Sequence, residues 1–277
     1  MERLLIVDGM NLLFQMYYGM PARITNAQGK AIQGTLGFVG ALLKIIRMVQ
    51  PTHLIIPFDG ECRNPRKELD TDYKANRPQL PEEDSPFTQL PDVYRALDYL
   101  GIRYAETIDC EADDWIAGYA KKFGGEMEIV IASQDSDFFQ LITEQVCVLR
   151  YRGDRTVCCD RKYILDRLGI APEQYAAFKS LTGDTADNIR GADKVGPKTA
   201  AELMNQFGSL EAMFAGAEQI RKPSVRESVL RNRERIRLNA LLIRLDGAEE
   251  LPFDLDEMVY RDSGYTTTDV LKGIGLR

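Results

Sequence analysis

The feature that most constrains the fold is a series of short, predominantly apolar runs, each of which ends shortly before an aspartate. Arg3–Val7, His53–Phe58 and 127–132 have strand-forming composition, and segments with apolar residues at helical spacing separate them. Apolar strands that alternate with helices are typical of a parallel sheet that is covered on both faces. We therefore predict an α/β fold with a mostly parallel central sheet flanked by helices.

The rest of the chain divides into an insertion and a helical part. Prolines and charges interrupt the periodicity at about 60–91, which predicts an arching insertion. After about residue 160 the pattern is helical, without further strands. We predict an α/β domain over 1–160 and a helical region over 161–277. Spacing and end signals predict helices over 36–49, Leu90–Leu100, Ala112–Phe123, 160–168, 172–182, Pro197–Phe207 and 224–245.

Carboxylates follow the predicted strands at the points where the strands end. Ligands of parallel sheets bind beyond the carboxyl ends of the strands, so these side chains are expected to converge. Each of them could instead be a turn residue or a helix cap. Together they would repel one another unless cations lay among them. The nine carboxylates are Asp8, Asp59, Glu111, Asp113, Asp114, Asp135, Asp137, Asp184 and Asp187.

The composition favours a hard divalent cation at such a cluster. Carboxylate oxygens are ligands of Mg²⁺ and Mn²⁺, whereas one histidine and five scattered cysteines provide little for zinc. His53 is the only histidine and precedes an apolar run, which argues against serine–histidine catalysis and favours a structural role for this residue. Two divalent ions can activate water and stabilise both oxygens of a phosphodiester displacement. The carboxylates therefore indicate phosphodiester chemistry.

The charge distribution is compatible with a polyanionic partner despite a net charge of −7. Residues 221–244 contain eight basic and two acidic side chains, a local excess that favours approach to nucleic acid, although a solvated helix face has the same composition. No apolar run is long enough for a membrane span, and no signal peptide is recognisable. The cysteines form neither a disulfide pattern nor a zinc pattern. We expect a cytoplasmic protein with reduced cysteines.

Ordered motifs run across nearly the whole chain. They are Leu-Ile-Val-Asp-Gly at 5–9, Phe-Asp at 58–59, Asp-Tyr-Lys-Ala-Asn-Arg-Pro at 72–78, Glu-Ala-Asp-Asp at 111–114, Asp-Ser-Asp at 135–137, Gly-Asp-Thr-Ala-Asp-Asn at 183–188 and Gly-Pro-Lys-Thr-Ala at 196–200. These motifs resemble those of the 5′ nuclease (flap endonuclease) family. The chain is similar to the 5′-nuclease domain of bacterial DNA polymerase I and is expected to stand alone.

The resemblance implies a fold and an activity. The fold would be the PIN-like 5′-nuclease fold, with a helical arch and a C-terminal helix–hairpin–helix region that binds DNA. The activity would be that of a structure-specific 5′→3′ exonuclease and flap endonuclease with two or more Mg²⁺ or Mn²⁺ ions. Its substrates would be DNA with 5′ flaps, nicks or free 5′ ends, with RNA–DNA hybrids left open. We expect a monomer that acts in primer removal during replication or in repair.

The resemblance also assigns site residues. A first metal cluster would comprise Asp8, Asp59, Glu111, Asp113 and Asp135, and a second would comprise Asp114, Asp137, Asp184 and Asp187. Lys74 and Arg77 would act with the first cluster in catalysis. The residues expected to contact DNA are Tyr73, Lys74, Arg77, Gly196, Lys198 and Thr199.

These DNA-contacting residues have a physical interpretation. Lys74 and Arg77 lie in the insertion beside Tyr73, whose ring could stack on an unpaired base. A cation above the scissile phosphate would offset the charge that develops there, although a solvated basic loop has the same spacing. The turn at 196–200 would direct backbone N–H groups at the beginning of a helix toward a phosphate, without reading the base sequence.

The sequence departs from the family pattern at two positions. Lys194 stands where the family usually has a glycine, beside a turn that often binds K⁺ through carbonyl groups. Gln15 stands where an arginine is usual, and we expect it to share a polar face with Asn11 toward the site.

Two other functions are alternatives to the flap endonuclease. A PIN-like ribonuclease would be about half as long and would lack the turn at 196–200. A non-catalytic DNA-junction-binding protein would have lost several carboxylates.

Overall fold

The computed structural model describes residues 2–60, 65–77 and 85–277. A six-stranded sheet lies at its centre in the order β3-β2-β1-β4-β5-β6, with parallel pairs throughout except for the antiparallel pair of β5 and β6. This arrangement confirms the predicted mostly parallel α/β fold. The strands are β1 (Arg3–Val7), β2 (His53–Phe58), β3 (Arg103–Glu106), β4 (Glu128–Ala132), β5 (Val146–Arg150) and β6 (Val157–Cys159).

Helices flank the sheet and make up most of the C-terminal part, which confirms the predicted helical region. In the described residues they are α1 (Gly9–Gly19), α2 (Gln33–Val49), α3 (Pro65–Leu69), α4 (Leu90–Leu100), α5 (Ala112–Phe123), α6 (Arg161–Leu168), α7 (Tyr175–Thr182), α8 (Pro197–Phe207), α9 (Leu210–Ala215), α10 (Pro223–Arg231), α11 (Arg233–Ile243) and α12 (Thr267–Gly273). Short 3₁₀ segments cover Pro86–Gln89, Asp137–Leu141, Pro172–Gln174, Ala217–Gln219 and Leu255–Met258.

The sheet separates two apolar cores. Successive strand residues point to opposite faces, so Leu4 and Ile6 of β1 pack with α5 and the C-terminal helices, whereas Leu5 and Val7 pack with α2 and α4. Burial on both faces explains why these strands have no polar alternation. The strands themselves therefore contribute few polar side chains, and the polar residues that follow β1 and β2 lie at the strand ends.

Several elements differ from the sequence prediction. β3, β5 and β6 were not predicted. β3 and β6 have only four and three residues and form the two edges of the sheet. The helix predicted over 224–245 is two helices, which Asn232 separates with its side-chain amide donating to the Ser228 carbonyl at 2.8 Å. Two-residue strands β7 (Gly183–Asp184) and β8 (Ile189–Arg190) pair within the region predicted to lack strands.

The predicted arch at about 60–91 lies partly outside the described residues, which omit 61–64 and 78–84. The described middle part contains α3 and a turn over 70–77. This turn docks on the loop between β7 and β8: the Lys74 amide donates to the Asp187 carbonyl at 2.9 Å, and the Asn76 side chain donates to the Thr185 carbonyl at 2.8 Å. Two motifs that are distant in sequence therefore meet.

Within the described residues, the helices are too short or too polar to cross a lipid bilayer.

Candidate active site

The turn from β1 into α1 fixes the first carboxylate. Asp8 caps α1, with its Oδ1 accepting a hydrogen bond from the Asn11 amide at 3.0 Å. Its other oxygen accepts from the Ser133 hydroxyl at 2.8 Å. Ser133 follows β4, the neighbour of β1, so the ends of two adjacent strands hold this buried carboxylate in place. Asp8 is therefore both the cap of α1 and a carboxylate at the strand ends, so the two interpretations of this residue apply together.

The ends of β2 and β4 bring further carboxylates to the same edge of the sheet. Asp59 accepts a hydrogen bond from the Ala112 amide at 2.8 Å, which joins it to the first turn of α5. Asp135 accepts from the Asp137 amide at 2.8 Å and receives support from Ser133, whose hydroxyl accepts from the Asp135 amide. The predicted convergence of strand-end carboxylates is therefore present in the geometry.

The electrostatics show how closely these groups lie. Burial, together with the charges of Asp59 and Asp135, raises the pKa of Asp8 to about 7, although the hydrogen bonds from Asn11 and Ser133 act to lower it. Burial also raises the pKa of Asp113 well above its usual value, with Asp135 and Asp8 adding to the effect. The pKa of Asp59 is raised by burial and then by Glu111. A buried set of acidic oxygens that disfavours its own ionisation fits a hard divalent cation.

A second acidic group lies beside the first. One oxygen from each of Asp137, Asp184 and Asp187 falls within 4.8 Å of the others in this group. The ammonium of Lys179 on α7 bonds to Asp137 and lies 2.5 Å from Asp184 Oδ2. The buried side chain of Asn239 supports the strand that follows the Asp184–Asp187 loop, because its amide donates to the Arg190 carbonyl at 2.8 Å. Three of the four residues predicted for the second cluster therefore lie together.

The fourth, Asp114, faces a different partner. Its oxygens accept hydrogen bonds from both terminal nitrogens of Arg66, at 2.9 and 2.7 Å. The same guanidinium donates to Glu111 Oε2 at 2.7 Å. Asp114 also completes the capping box of α5 with Glu111. In this structure Asp114 thus belongs to the Glu111 side of the site, with Arg66 as its counterion.

Sequence reasoning missed the two buried cations, Arg66 and Lys179. Arg66 lies in the insertion, where no periodicity could assign its direction. Lys179 carried a usable signal, because it lies among the apolar residues of α7 shortly before Asp184. A buried lysine requires a counter-charge, so its position pointed to the acidic motif.

The residues of the insertion turn inward. Lys74 Nζ lies 2.5 Å from Glu111 Oε1, and Arg77 lies 3.0 Å from Asp187 Oδ1. Tyr73 is only 4 % exposed, and its hydroxyl donates to Glu111 Oε2 at 3.3 Å. The expected stacking of Tyr73 on a base is therefore wrong for this arrangement, because the ring is covered. The predicted cations do lie at the carboxylates.

The predicted phosphate-binding turn opens α8. Gly196 is the residue before the helix, and Lys198 is exposed in its first turn with Thr199 half-buried behind it. Pro197 has no N–H, so the amides of 198 and 199 are the ones that point out of the helix end. Lys194, the departure from glycine, has a left-handed backbone with φ of 62°.

Gln15 and part of the basic segment are already engaged within the protein. The Gln15 side chain donates to the Tyr151 carbonyl at 2.7 Å, so it reaches the turn after β5 instead of lying open toward the site as expected. Asn11 does face the site loop, where it accepts from the Gln134 amide at 2.9 Å. In the segment 221–244, Arg235, Arg237 and Arg244 form ion pairs that reduce its excess charge.

The sequence is similar to known proteins along most of its length. DNA polymerase I of Rhizobium leguminosarum is 33 % identical over 267 residues, which are 93 % of this chain and 26 % of the polymerase. The thermostable DNA polymerase I of Thermus filiformis is 34 % identical over 256 residues, which are 92 % of this chain and 30 % of the polymerase. The chain therefore spans less than a third of the length of these relatives.

The fold is also similar to that of a solved structure. The bacteriophage T5 D15 flap endonuclease, in a complex with DNA and metal ions, superposes with a TM-score of 0.72 and 21 % identity over 99 % of both chains. Family profiles match nearly the whole sequence: the N-terminal resolvase-like domain of 5′-3′ exonucleases covers 3–169, and their C-terminal SAM fold covers 170–265. On these matches, the chain belongs to the 5′-3′ exonuclease family.

Proposed function

We propose that this protein is a structure-specific 5′→3′ exonuclease and flap endonuclease that hydrolyses phosphodiester bonds near the 5′ ends of DNA. The observation that carries the proposal is the clustering of Asp8, Asp59 and Asp135 at the strand ends, next to two cations of the insertion: Lys74 pairs with Glu111, and Arg77 pairs with Asp187. Carboxylates alone would suit many metal sites. Cations held next to them suit a substrate that is itself an anion.

The residues present fit a pair of divalent ions, and we propose Mg²⁺ or Mn²⁺. The donors are all carboxylate oxygens, which match hard cations. Asp8, Asp59, Glu111, Asp113 and Asp135 would hold one ion, and Asp137, Asp184 and Asp187 would contribute to the other. When bound, such ions supply Lewis acidity to the attacking and leaving oxygens of the phosphodiester. The predicted role of Asp114 in the second site becomes one of orienting Glu111 through Arg66.

The protein's own residues would position the substrate. Lys74 and Arg77 are paired with Glu111 and Asp187, and divalent ions at those carboxylates would release both side chains toward the scissile phosphate. A guanidinium and an ammonium there would offset the charge that develops in the transition state. Lys179 would stay as the counter-charge of Asp137 and Asp184, because it is nearly buried between them.

The helix–hairpin–helix turn would bind the duplex part of the substrate. Gly196, Lys198 and Thr199 present amides and a positive charge at the beginning of α8, which favours a phosphate without base readout. We propose that 1–160 carries most of the catalytic carboxylates, which Asp184 and Asp187 complete, and that 161–277 provides the duplex binding. We further propose that the protein works as a monomer in the cytoplasm in primer removal or repair.

The activity can be tested with labelled substrates. A 5′-flap, a nicked duplex and an RNA–DNA hybrid, each labelled at the 5′ or 3′ end, are incubated with Mg²⁺, with Mn²⁺ or with EDTA. We expect metal-dependent products that carry a 5′-phosphate and a 3′-hydroxyl from the flap substrate. Cleavage of single-stranded RNA alone would favour the PIN-like ribonuclease. Flap binding without cleavage in either metal would favour the junction-binding protein.

Asp135→Asn provides the catalytic control for this assay. Replacing one carboxylate oxygen with an amide should abolish cleavage and leave flap affinity in Ca²⁺ within about tenfold, about 1.4 kcal/mol. Asp166→Asn, at an exposed residue of α6 paired with Lys162, is the matched control and should cleave normally. A normal rate for Asp135→Asn in Mg²⁺ would contradict the site assignment.

A further inference from the structure

The antiparallel pair at one edge of the sheet brings two cysteines together. β5 and β6 pair Leu149 with Cys158 and Val148 with Cys159. Residues that lie opposite each other in an antiparallel pair share a face, and so do residues two apart along one strand. Cys147 therefore lies on the same face as Cys158, on the diagonal, and Cys159 lies on the other face.

The two sulfurs are already in contact. Cys158 Sγ lies 3.0 Å from Cys147 Sγ, and both residues are free thiols. A disulfide bond is about 2.05 Å long, so the sulfurs need to approach by about 1 Å. Because β5 and β6 are paired in the sheet, this approach requires rotation of the two side chains together with a movement of the strands.

The pair is reachable from solvent, and its chemistry is asymmetric. Cys158 is exposed and Cys147 is half-buried. The hydrogen bond from the Cys147 thiol lowers the pKa of Cys158, because it stabilises the Cys158 thiolate. Burial instead raises the pKa of Cys159 to about 11, and this side chain is fully enclosed. Cys158 is thus the sulfur that an external reagent meets first.

We propose that Cys147 and Cys158 form a reversible disulfide, which makes the β5–β6 edge a redox site. The oxidant is a low-molecular-weight disulfide such as glutathione disulfide. The Cys158 thiolate attacks one of its sulfurs, the S–S bond of the oxidant breaks, and one glutathione thiolate leaves. The Cys147 sulfur then gives up its proton and attacks Cys158 Sγ, which releases the second glutathione. Two protein thiols are oxidised, and one glutathione disulfide is reduced to two thiols.

The diagonal position sets the character of this bond. Diagonal neighbours in an antiparallel pair lie about 7–8 Å apart, farther than the Cα atoms of an ordinary disulfide, so closing the bond strains the strand pair. Strained and exposed disulfides are reduced more readily than structural ones. We therefore expect reduced glutathione to reopen the bond. Under reducing conditions Cys147 and Cys158 would both be free thiols, which is typical of reversible redox-sensing cysteines.

The test uses the full chain in EDTA, without any nuclease assay. Reduced protein is incubated in buffers of increasing ratio of oxidised to reduced glutathione, then alkylated with N-ethylmaleimide and measured by intact-mass spectrometry. We expect a species that lacks two alkyl groups and carries no glutathione, and that disappears when excess reduced glutathione is added. Trypsin cleaves after Arg150, between the two cysteines, so the bond joins two peptides whose fragmentation identifies the linked sulfurs.

Variants separate this pair from the other cysteines. Cys147→Ser and Cys158→Ser should each abolish the linked peptides, whereas Cys159→Ala and Cys62→Ser should leave their yield unchanged. Where Cys159→Ala does not fold, fragmentation of the unsubstituted protein makes the same assignment. A product that carries glutathione on Cys158 without the linked peptides would overturn the proposal. So would complete alkylation at every ratio, or a bond between Cys158 and Cys159.

Discussion

At the scale of single residues, the site holds its charge in balance through specific ion pairs. Lys74 is nearly buried, with Nζ 2.5 Å from Glu111 Oε1. Burial acts to lower the pKa of Lys74, but Glu111 and Asp113 outweigh it and raise the pKa above the usual value. The ammonium therefore stays charged at neutral pH. On the proposed function, this ammonium would neutralise Glu111 before divalent ions bind and would contact the substrate phosphate afterwards.

This pairing leads to a prediction for Lys74→Ala. On the proposed function, loss of the ammonium should slow single-turnover cleavage of a 5′ flap by about a hundredfold or more, because its charge would act where the transition state develops charge. Flap affinity measured in Ca²⁺ should change by less than about tenfold, or about 1.4 kcal/mol. Rapid-quench kinetics and equilibrium binding give the two quantities separately.

Lys44→Ala is the control for this experiment, since Lys44 is an exposed lysine on α2. It should change neither the cleavage rate nor the affinity. Equal losses of rate and affinity in Lys74→Ala would make Lys74 an ordinary phosphate contact. An unchanged cleavage rate in Lys74→Ala would show that Lys74 is a basic loop residue without a catalytic role.

At the scale of the element, the hairpin before α8 contains a strained residue. Lys194 has φ of 62°, a left-handed conformation that costs a non-glycine residue roughly 1–2 kcal/mol. The neighbouring Asp193 carbonyl accepts a hydrogen bond from the Ser228 hydroxyl at 2.5 Å, and Val195 is buried. Contacts on both sides of Lys194 therefore hold the turn in this shape.

The strain predicts that Lys194→Gly stabilises the protein. Relief of the left-handed conformation exceeds the added entropy of the unfolded chain, so the free energy of unfolding should rise by about 0.5–1 kcal/mol. Urea denaturation followed by circular dichroism measures the change. Lys198→Gly, the same substitution within the first turn of α8, should instead destabilise by a similar amount. A loss of stability in Lys194→Gly would show that the lysine side chain stabilises the turn.

The whole molecule couples protons, metal ions and folding. Burial raises the pKa of Asp8 to about 7, whereas the ordinary value of 3.8 applies in the unfolded chain. Between about pH 4 and 7 the folded state therefore binds more protons at this residue than the unfolded state does. The contribution of Asp8 to the free energy of unfolding thus falls as pH rises through this window when no metal is bound.

Metal binding should show the opposite dependence on pH. A divalent ion requires the ionised carboxylates, so affinity for Mn²⁺ should rise by about tenfold per pH unit below pH 7 for each proton displaced, and level off above it. Calorimetric titrations at several pH values between 5.5 and 8 measure this slope. Asp8→Asn should flatten it, while Asp166→Asn should not. A slope of zero for the unsubstituted protein would mean that these carboxylates are already ionised.

The sequence by itself determined the alternation of apolar strands with helices and the position of an aspartate after each main strand. These features are local. Burial on both faces requires apolar strands, and the first polar residues after a parallel strand lie at the carboxyl end of the sheet. The convergence of Asp8, Asp59 and Asp135 followed from this rule.

Only the tertiary structure decided which charge meets which. Arg66 and Tyr73 belong to an insertion without periodicity, so their burial against Glu111 depends on how that segment docks on the loop after β7. The contact between Cys147 and Cys158 depends on a register of β5 and β6 that neither short strand specifies alone. Ion pairs and strand registers are set by distant parts of the chain, because they form only after the elements have packed.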